Sequence, residues 1–273
     1  MILSGKNVLI TGAGRGIGRA IANICAKEGA NIAICSRSHE ELEKTLTCMK
    51  SNAHNDSEKK SNFEMFIVDV TKEHQVDEMV SSMIHKFGNI DILINNAGRG
   101  QAEKKFSYEM KVSDLRDIVD LNLVAVHSVT SSVLKKSMLI DTKENQNEES
   151  RNGIIINISS RAGKIGIPNM PFYCASKFAL EGYSATLALE LKDKNILVNT
   201  ISPGMVDTQS FPKAPGKKGV RTADSIRDGL MLLLQTKKTG HYVHVDELDQ
   251  VVAKGLDPEL ALKSINEIPF SVE

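Results

Sequence analysis

Residues 7–19 read N-V-L-I-T-G-A-G-R-G-I-G-R, and this stretch decides the fold class. The apolar run from Val8 to Ile10 predicts a buried strand, and apolar residues recur at helical spacing after the glycines. Glycine lets the backbone adopt positive φ and approach a ligand closely. The start of the following helix offers unpaired N–H groups to a phosphate. Strand, glycine turn and helix together predict a nucleotide-binding site.

The overall composition excludes several classes of partner. The chain has 273 residues, with 34 basic and 34 acidic side chains and a formal net charge of zero, so nothing global indicates a nucleic acid or an anionic membrane. Its four cysteines show no Cys-x-x-Cys spacing. Cys25 and Cys35 lie in apolar runs, which predicts buried free thiols, a reducing compartment and a cytoplasmic location. We expect no signal peptide and no membrane span.

Strand-like and helix-like segments alternate along the rest of the chain. Further strands are predicted at 31–35, 63–70, 90–94, 154–158, 196–201 and 240–246. This alternation predicts an α/β fold, a doubly wound parallel sheet (Rossmann fold) flanked by helices. We expect one domain over residues 1–273, with a polar surface loop at about 139–153 and a C-terminal extension at about 247–273.

The residues after the second strand bear on the choice of dinucleotide. An acidic side chain here binds the ribose 2′-hydroxyl of NAD, whereas a basic one accommodates the 2′-phosphate of NADP. This chain has Ser36 and Arg37 at that point, and Arg15 in the glycine turn could reach the same phosphate. The pattern favours NADP(H), although both arginines could instead be solvated.

Several motifs occur in one order along the chain and carry a resemblance. They are T-G-x-x-x-G-x-G from Thr11, N-N-A-G at 95–98, Tyr173-x-x-x-Lys177 with a serine thirteen positions earlier, and P-G-x-V-x-T from Pro203. Over roughly residues 6–245 the chain resembles the classical short-chain dehydrogenase/reductase family. The resemblance implies an NADPH-dependent oxidoreductase that transfers hydride reversibly between NADP(H) and a carbonyl or hydroxyl group of a small molecule. It also implies a homo-oligomer.

The resemblance implies four catalytic residues: Asn122, Ser160, Tyr173 and Lys177. Tyr173 and Lys177 lie one turn apart on a helix. A nearby ammonium favours phenolate, so we expect Lys177 to lower the pKa of Tyr173 and make it a general acid and base. Ser160 would donate a hydrogen bond to the substrate oxygen; Ser159 competes for this role, but the thirteen-residue spacing favours Ser160. Asn122 would bend its helix and hold a water molecule, although a lone buried asparagine is usually structural.

The predicted cofactor site combines the glycine turn with the ends of several strands. Asp69 and Val70 would line an adenine pocket, although Asp69 could equally cap the next helix. Pro203, Gly204, Val206 and Thr208 would border the nicotinamide. The full set is Gly12, Gly14, Arg15, Gly16, Ile17, Gly18, Ser36, Arg37, Asp69, Val70, Asn96, Ala97, Gly98, Tyr173, Lys177, Pro203, Gly204, Val206 and Thr208.

The segment from 209 to 221 is short for a lid of this family and is basic, with Lys213, Lys217, Lys218 and Arg221. It could meet an acidic carrier protein or a charged substrate, or be a solvated loop. A 3-oxoacyl-(acyl carrier protein) reductase is therefore one alternative. An NADP-binding regulator or scaffold is another. His241 and His244 lie three apart on a predicted strand and face opposite sides, so we expect no metal site.

Overall fold

The computed structural model describes residues 1–53, 61–101, 103–140, 153–209, 211–213 and 216–267. Its strands are β1 (Asn7–Thr11), β2 (Asn31–Ser36), β3 (Phe63–Ile67), β4 (Ile92–Asn95), β5 (Gly153–Ile158), β6 (Ile196–Ser202), β7 (His241–His244) and β8 (Lys263–Ser264). They form one sheet in the order β3-β2-β1-β4-β5-β6-β7-β8. The pairs from β3 to β7 are parallel, and β8 runs antiparallel to β7.

Helices cover both faces of this sheet. They are α1 (Gly16–Lys27), α2 (His39–Asn52), α3 (Glu73–Phe87), α4 (Val112–Val119), α5 (Ala125–Val133), α6 (Pro171–Glu190), α7 (Arg227–Gln235) and α8 (Val245–Ala253). Side chains alternate across a strand, so Val8 and Ile10 pack in the core under α1, whereas Leu9 packs in the core on the opposite face. The predicted doubly wound Rossmann fold is confirmed.

The chain reverses its direction of winding next to β1. Strand β2 pairs with one edge of β1, and β4 pairs with the other, with Val8 beside Ile92 and Ile10 beside Ile94. Open α/β sheets bind ligands in the crevice that this reversal leaves at the carboxyl ends of the strands. The glycine turn after β1 and the N-N-A-G segment after β4 both lie at this crevice.

One long helix crosses the back of the sheet from Val112 to Met138. It comprises α4, a π-helical segment at Asp120–Val124, α5, and a second π-helical segment at Leu134–Met138. Its length and composition would suffice to cross a membrane, but half of its most apolar window is buried inside the protein. Ser132 donates to Asp77 on α3 at 2.6 Å. Since a core helix passes the same length test, these contacts favour a core helix.

The ends of three predicted strands were wrong. Strand β3 stops at Ile67, before Val70, because Asp69 turns the chain by accepting a 3.0 Å hydrogen bond from the Thr71 backbone. Strand β4 begins at Ile92. Strand β7 ends at His244, whose side chain accepts a hydrogen bond from the Asp246 backbone at 3.2 Å and so caps α8.

Much of the predicted loop structure lies outside the described residues. The polar loop at about 139–153 falls largely on residues 141–152. The C-terminal extension at about 247–273 is described as far as 267. Within it, α8 is followed by a 3₁₀ turn at Pro258–Ala261 and by β8.

Candidate functional site

A cleft of about 1400 Å³ opens at the carboxyl ends of the strands. Every residue predicted to bind the cofactor lies along its wall, and so do Ser159 and Ser160. Asn122 is set back from the wall and is fully buried. The structure therefore brings the predicted residues from six strand ends together in one cleft, and their role in binding a cofactor stays a prediction.

The glycine turn is packed too tightly for side chains. A Cβ on Gly12, where φ is +65°, would lie 2.7 Å from the Cα of Ala97, and a Cβ on Gly18 would lie 2.4 Å from the Gly12 carbonyl oxygen. Asn96 holds this approach, because its side-chain amide donates to the carbonyls of Thr11 and Gly12, both at 3.0 Å. Thr11 accepts from the backbone of Asn96 and Ala97, also at 3.0 Å.

The start of α1 fits the phosphates of a dinucleotide. Its N-cap residue is Arg15, which has an extended backbone. The Arg15 side chain makes no capping hydrogen bond to the N–H groups of the first turn. A helix of twelve residues with such an end offers several donors and a positive dipole to an anion. Thr208 closes the other side, since its Cγ2 lies 3.2 Å from a Cβ built on Gly16.

Asn95 in β4 and Asn157 in β5 join these two neighbouring strands. The side-chain amide of Asn95 donates to the Oδ1 of Asn157 at 2.9 Å, and Asn157 donates in turn to Ser184 on α6 at 2.8 Å. Asn95 also donates to Thr130 at 3.0 Å. Asn157 and Ser184 were not predicted from the sequence.

The part of the cleft next to β2 contains Ser36, Arg37 and an acidic residue that the sequence reasoning missed. A Cβ on Gly14 would lie 2.8 Å from the Oγ of Ser36, so the turn presses against β2. The missed residue is Glu41, which also lines the cleft. It is held by an ion pair with Arg19 at 2.6 Å.

Asp69 does not cap α3, although both its adenine-pocket and capping roles were left open. The N-cap of α3 is Lys72. Asp69 instead accepts from the backbone and the hydroxyl of Thr71, the latter at 2.7 Å. Partial burial tends to raise the pKa of Asp69. The Thr71 hydrogen bonds and the Arg37 charge outweigh burial and hold this pKa below its usual range.

Ser160, Tyr173 and Lys177 meet at the centre of the cleft. Ser160 is the N-cap of a 3₁₀ turn at Arg161–Gly163, and its Oγ accepts from the Ala162 backbone at 3.1 Å. Tyr173 and Lys177 extend from α6, and each is only 7% exposed. The Lys177 ammonium lies 6.0 Å from the centroid of the Tyr173 ring and donates to the Ile158 carbonyl at 2.8 Å.

The expected acidification of Tyr173 is not found. Burial raises the pKa of Tyr173 to about 12, and its hydrogen bond with Ser160 only partly opposes this. Burial also lowers the pKa of Lys177 to about 8, with the Glu181 carboxylate acting the other way. Desolvation is therefore the largest influence on the pKa of both groups. At neutral pH the phenol is protonated, and most of the Lys177 population is charged.

Asn122 lies in the π-helical segment between α4 and α5, where the helix is distorted. Its side-chain amide donates to the Arg99 carbonyl and to the Ser176 hydroxyl, both at 3.0 Å. Its Oδ1 accepts from the Arg99 backbone at 2.9 Å. These bonds tie the long helix to α6 and to the loop after β4, which agrees with the structural alternative stated for Asn122.

Beside Tyr173 the cleft contains an aromatic residue, and a group of lysines lines the same cleft. The Phe211 ring lies 5.2 Å from the Tyr173 ring. Lys104, Lys213 and Lys217 line the same cleft. Burial lowers the pKa of Lys213, and repulsion from Lys217 and Lys104 adds to this, while Asp207 opposes it. Phe211 and Lys104 were not predicted, because isolated residues in loops give no periodic signal.

In the folded protein, not all basic residues of the lid (residues 209–221) face the cleft. Arg221 is paired with Asp246 at 2.5 Å and with Asp249 on α8. Lys218 is exposed and does not line the cleft. Lys213 and Lys217 are therefore the lid residues that present positive charge to the cleft. Arg15 donates to Gln209 at 2.6 Å, which joins the lid to the glycine turn.

All four cysteines are free thiols. Burial raises the pKa of Cys25 and of Cys35 to about 12, so both stay protonated and unreactive at neutral pH. Over the described parts of the chain, no three His, Cys, Asp or Glu side chains are grouped so as to hold a metal ion.

Comparison with known proteins agrees with this geometry. A family profile described as short chain dehydrogenase matches residues 6–218. The chain is 34% identical over 217 residues, covering 80% of each protein, to the 3-oxoacyl-[acyl-carrier-protein] reductase FabG of Thermotoga maritima. It is 32% identical over 208 residues to the NADPH-dependent pterin aldehyde reductase of Arabidopsis thaliana, covering 76% of this chain and 78% of the relative.

A solved structure shows the same fold. It is a short chain dehydrogenase from Mycobacterium paratuberculosis bound to NAD, with a TM-score of 0.77, 25% identity, and coverage of 90% of this chain and 98% of that one. The chain belongs to the short-chain dehydrogenase/reductase family. It is an oxidoreductase of that family, which uses a nicotinamide cofactor and acts on CH–OH or C=O groups of small molecules.

Proposed function

We propose that the protein is an NADPH-dependent carbonyl reductase that works reversibly on a small-molecule substrate. The observation that carries this proposal is the meeting of Ser160, Tyr173 and Lys177 in the cleft, with a protonated phenol. Reduction of a carbonyl needs a proton donor beside the oxygen. The raised pKa of Tyr173 keeps that proton available at neutral pH.

The residues present fit NADP(H). The free N–H groups at the start of α1 would hold the pyrophosphate, and Ser36, Arg37 and Arg15 would hold the 2′-phosphate. Glu41, which could otherwise bind a ribose 2′-hydroxyl and favour NAD, is occupied by Arg19 at 2.6 Å. Relatives use either dinucleotide, since one is named for NADPH and one structure holds NAD. When bound, the cofactor supplies the hydride.

In this mechanism the protein handles the substrate oxygen and its proton. Ser160 donates a hydrogen bond to the carbonyl oxygen and stabilises the negative charge that develops there. Tyr173 then gives its phenolic proton to that oxygen, because an alkoxide is far more basic than a phenolate. The Lys177 ammonium stabilises the resulting phenolate and would hold the ribose hydroxyls of the nicotinamide nucleoside. Asn122 holds the long helix against α6 and would position a water molecule that returns protons to Tyr173.

The direct test replaces Tyr173 with phenylalanine. Tyr173→Phe should lose at least about a thousandfold in kcat with a panel of ketones, aldehydes and quinones, since it removes the proton donor. NADPH should bind with unchanged affinity. Tyr183→Phe is the matched control, because Tyr183 is on the same helix but contacts His127 at 3.2 Å, away from the cleft. Normal turnover in Tyr173→Phe would refute the proposal.

A second candidate is a 3-oxoacyl-(acyl carrier protein) reductase. Two observations favour it: the 34% identity to a FabG protein, and the cluster of Lys104, Lys213 and Lys217 on the substrate side of the cleft. Under this candidate, a 3-oxoacyl thioester on the acidic carrier should be reduced with a much higher kcat/KM than the same acyl group on N-acetylcysteamine. The double variant Lys213→Ala/Lys217→Ala should abolish the difference. Equal kcat/KM for both thioesters would reject this candidate.

A candidate of another class is an NADP-binding regulator or scaffold. Such a protein would bind NADPH without turning over any substrate of the panel. The presence of Ser160, Tyr173 and Lys177 in one cleft argues for the enzyme. The four free cysteines support our further proposal that the protein works in the reducing cytoplasm.

A further inference from the structure

Glu181 is a buried carboxylate that the proposed chemistry does not use. It lies on α6, one turn beyond Lys177, and is 4% exposed. Its Oε2 accepts a hydrogen bond from Thr200 of β6 at 3.0 Å and lies 3.3 Å from the Lys164 ammonium. The carboxylate is therefore bound from two other parts of the chain.

Lys164 extends this connection to the end of the described chain. It directly follows the 3₁₀ turn that Ser160 begins, and it is 7% exposed. Its ammonium also donates to the carbonyl of Ile265 and lies 4.8 Å from the centre of the Tyr242 ring on β7. We call the 3₁₀ turn at Arg161–Gly163, with its N-cap Ser160, the serine turn. The Lys164–Glu181 pair thus joins the serine turn, α6, β6 and the C-terminal segment.

The serine turn is pressed against α6 at this pair. A Cβ built on Gly163 would lie 2.9 Å from the Lys177 carbonyl oxygen, 3.0 Å from the Cγ of Glu181 and 3.1 Å from the Oγ of Ser159. Only a glycine allows the turn to come this close. The position of Ser160 relative to Tyr173 and Lys177 therefore depends on a contact in which Glu181 takes part.

Burial makes a charged carboxylate unfavourable at this position. Burial raises the pKa of Glu181, and the Lys164 charge only partly opposes this. Hydrogen bonds with Ser159 and Thr200 also act to lower this pKa, but burial outweighs them. Buried ion pairs often stabilise a fold less than apolar residues of similar size would. The Lys164–Glu181 pair therefore stabilises the fold less than an apolar pair would, and it lies next to the candidate catalytic residues.

We propose that Glu181, held by Lys164 and Thr200, is a positioning residue that fixes the Ser160 turn against α6 and provides the counter-charge for the Lys177 ammonium. This inference rests on the proposed function, because it assigns Glu181 a role through Ser160 and Lys177. It predicts that the negative charge of Glu181, and not only its shape, supports cofactor binding and turnover.

The charged and titratable groups around Glu181 determine in which direction the pKa of Lys177 moves when the Glu181 charge is removed. Lys164 faces it from the serine turn, Lys177 from the preceding turn of α6, and Tyr242 from β7. The Glu181 charge raises the pKa of Lys177 against the dominant effect of burial. Removal of the charge should therefore let Lys177 lose its proton at lower pH.

The test measures NADPH affinity and kcat against pH for Glu181→Gln. We expect the pH at which NADPH affinity falls to move down by roughly 0.5 to 1 unit. We expect kcat at pH 7 to fall roughly tenfold because the serine turn is less well fixed. Glu190→Gln is the matched control, since Glu190 is on the same helix and exposed. Both of its profiles should coincide with those of the wild type.

A second variant covers the case in which Glu181→Gln leaves Lys164 unpaired and misfolds. Lys164→Met/Glu181→Gln removes both charges and should fold, and it should show the same shift of the NADPH profile. A folded variant with a wild-type profile and kcat within twofold of wild type would overturn the inference. A different result would contradict the proposed function itself. That result is an unchanged NADPH affinity in Lys177→Met, whatever the outcome for Glu181→Gln.

Discussion

The substitution Gly18→Ala tests the packing of the glycine turn. Gly18 is the third residue of α1, where alanine would normally favour the helix by about 1 kcal/mol. Here the added Cβ would lie 2.4 Å from the Gly12 carbonyl oxygen, 2.5 Å from the Asn96 side-chain nitrogen and 2.9 Å from the Ala13 Cα. Two of these neighbours are backbone, so the turn itself must shift.

The expected loss of stability follows from these contacts. Overpacking of this kind costs about 1–3 kcal/mol. The two Asn96 hydrogen bonds to Thr11 and Gly12, both 3.0 Å long, would be strained, at about 1 kcal/mol each. After subtraction of the helix preference, the free energy of unfolding should fall by about 3 kcal/mol. The melting temperature should fall by about 6–12 °C for a chain of this size. NADPH binding should weaken at least tenfold.

Chemical denaturation and fluorescence titration with NADPH measure both effects. Gly182→Ala is the control, because Gly182 lies in α6 and a Cβ there meets nothing within 4 Å. That variant should be as stable as the wild type or slightly more stable. If Gly18→Ala matches Gly182→Ala in stability and in NADPH affinity, our account of the turn is wrong.

Two further predictions concern charges in the cleft. Because burial lowers the pKa of Lys177 from 10.5 to about 8, the unfolded chain binds more protons between these values. The Lys177 contribution to the free energy of unfolding should therefore increase by up to about 3 kcal/mol as pH rises from 8 to 10.5. Comparison of wild type with Lys177→Met by denaturation across this range measures it, and parallel pH curves would contradict it. Arg19→Ala should release Glu41 and lower the ratio of NADPH to NADH kcat/KM severalfold, through repulsion of the 2′-phosphate. Arg227→Ala, which removes the ion pair with Glu28 outside the cleft, is the control, and an unchanged ratio in Arg19→Ala would exclude a role for Glu41.

The sequence predicted the sheet well, and it predicted which residues would meet at one cleft, because both depend on local patterns. Val8 to Ile10 form a buried strand, and the glycines after it are required by contacts that a Cβ would block. The spacing of Tyr173 and Lys177 places both on the face of α6 that lines the cleft. The strand ends were predicted less well, since Asp69 and His244 turn the chain through side-chain hydrogen bonds.

The residues that were missed depend on contacts between distant parts of the chain. Glu181 meets Lys164 seventeen positions away and Thr200 nineteen positions away, and no local pattern marks them as partners. The rise in the pKa of Tyr173 was missed for a related reason. The spacing to Lys177 gives the sign of one charge effect, whereas the depth of burial, which dominates, follows from the whole fold.

The most direct test of the central claim follows the transfer of deuterium from C4-deuterated NADPH to a ketone from the substrate panel. The claim is that a buried, protonated Tyr173 beside Ser160 supplies the proton that completes reduction. The wild type should form deuterated alcohol, while Tyr173→Phe should bind NADPH equally well and form almost none. Deuterated alcohol at the wild-type rate from Tyr173→Phe would contradict the account.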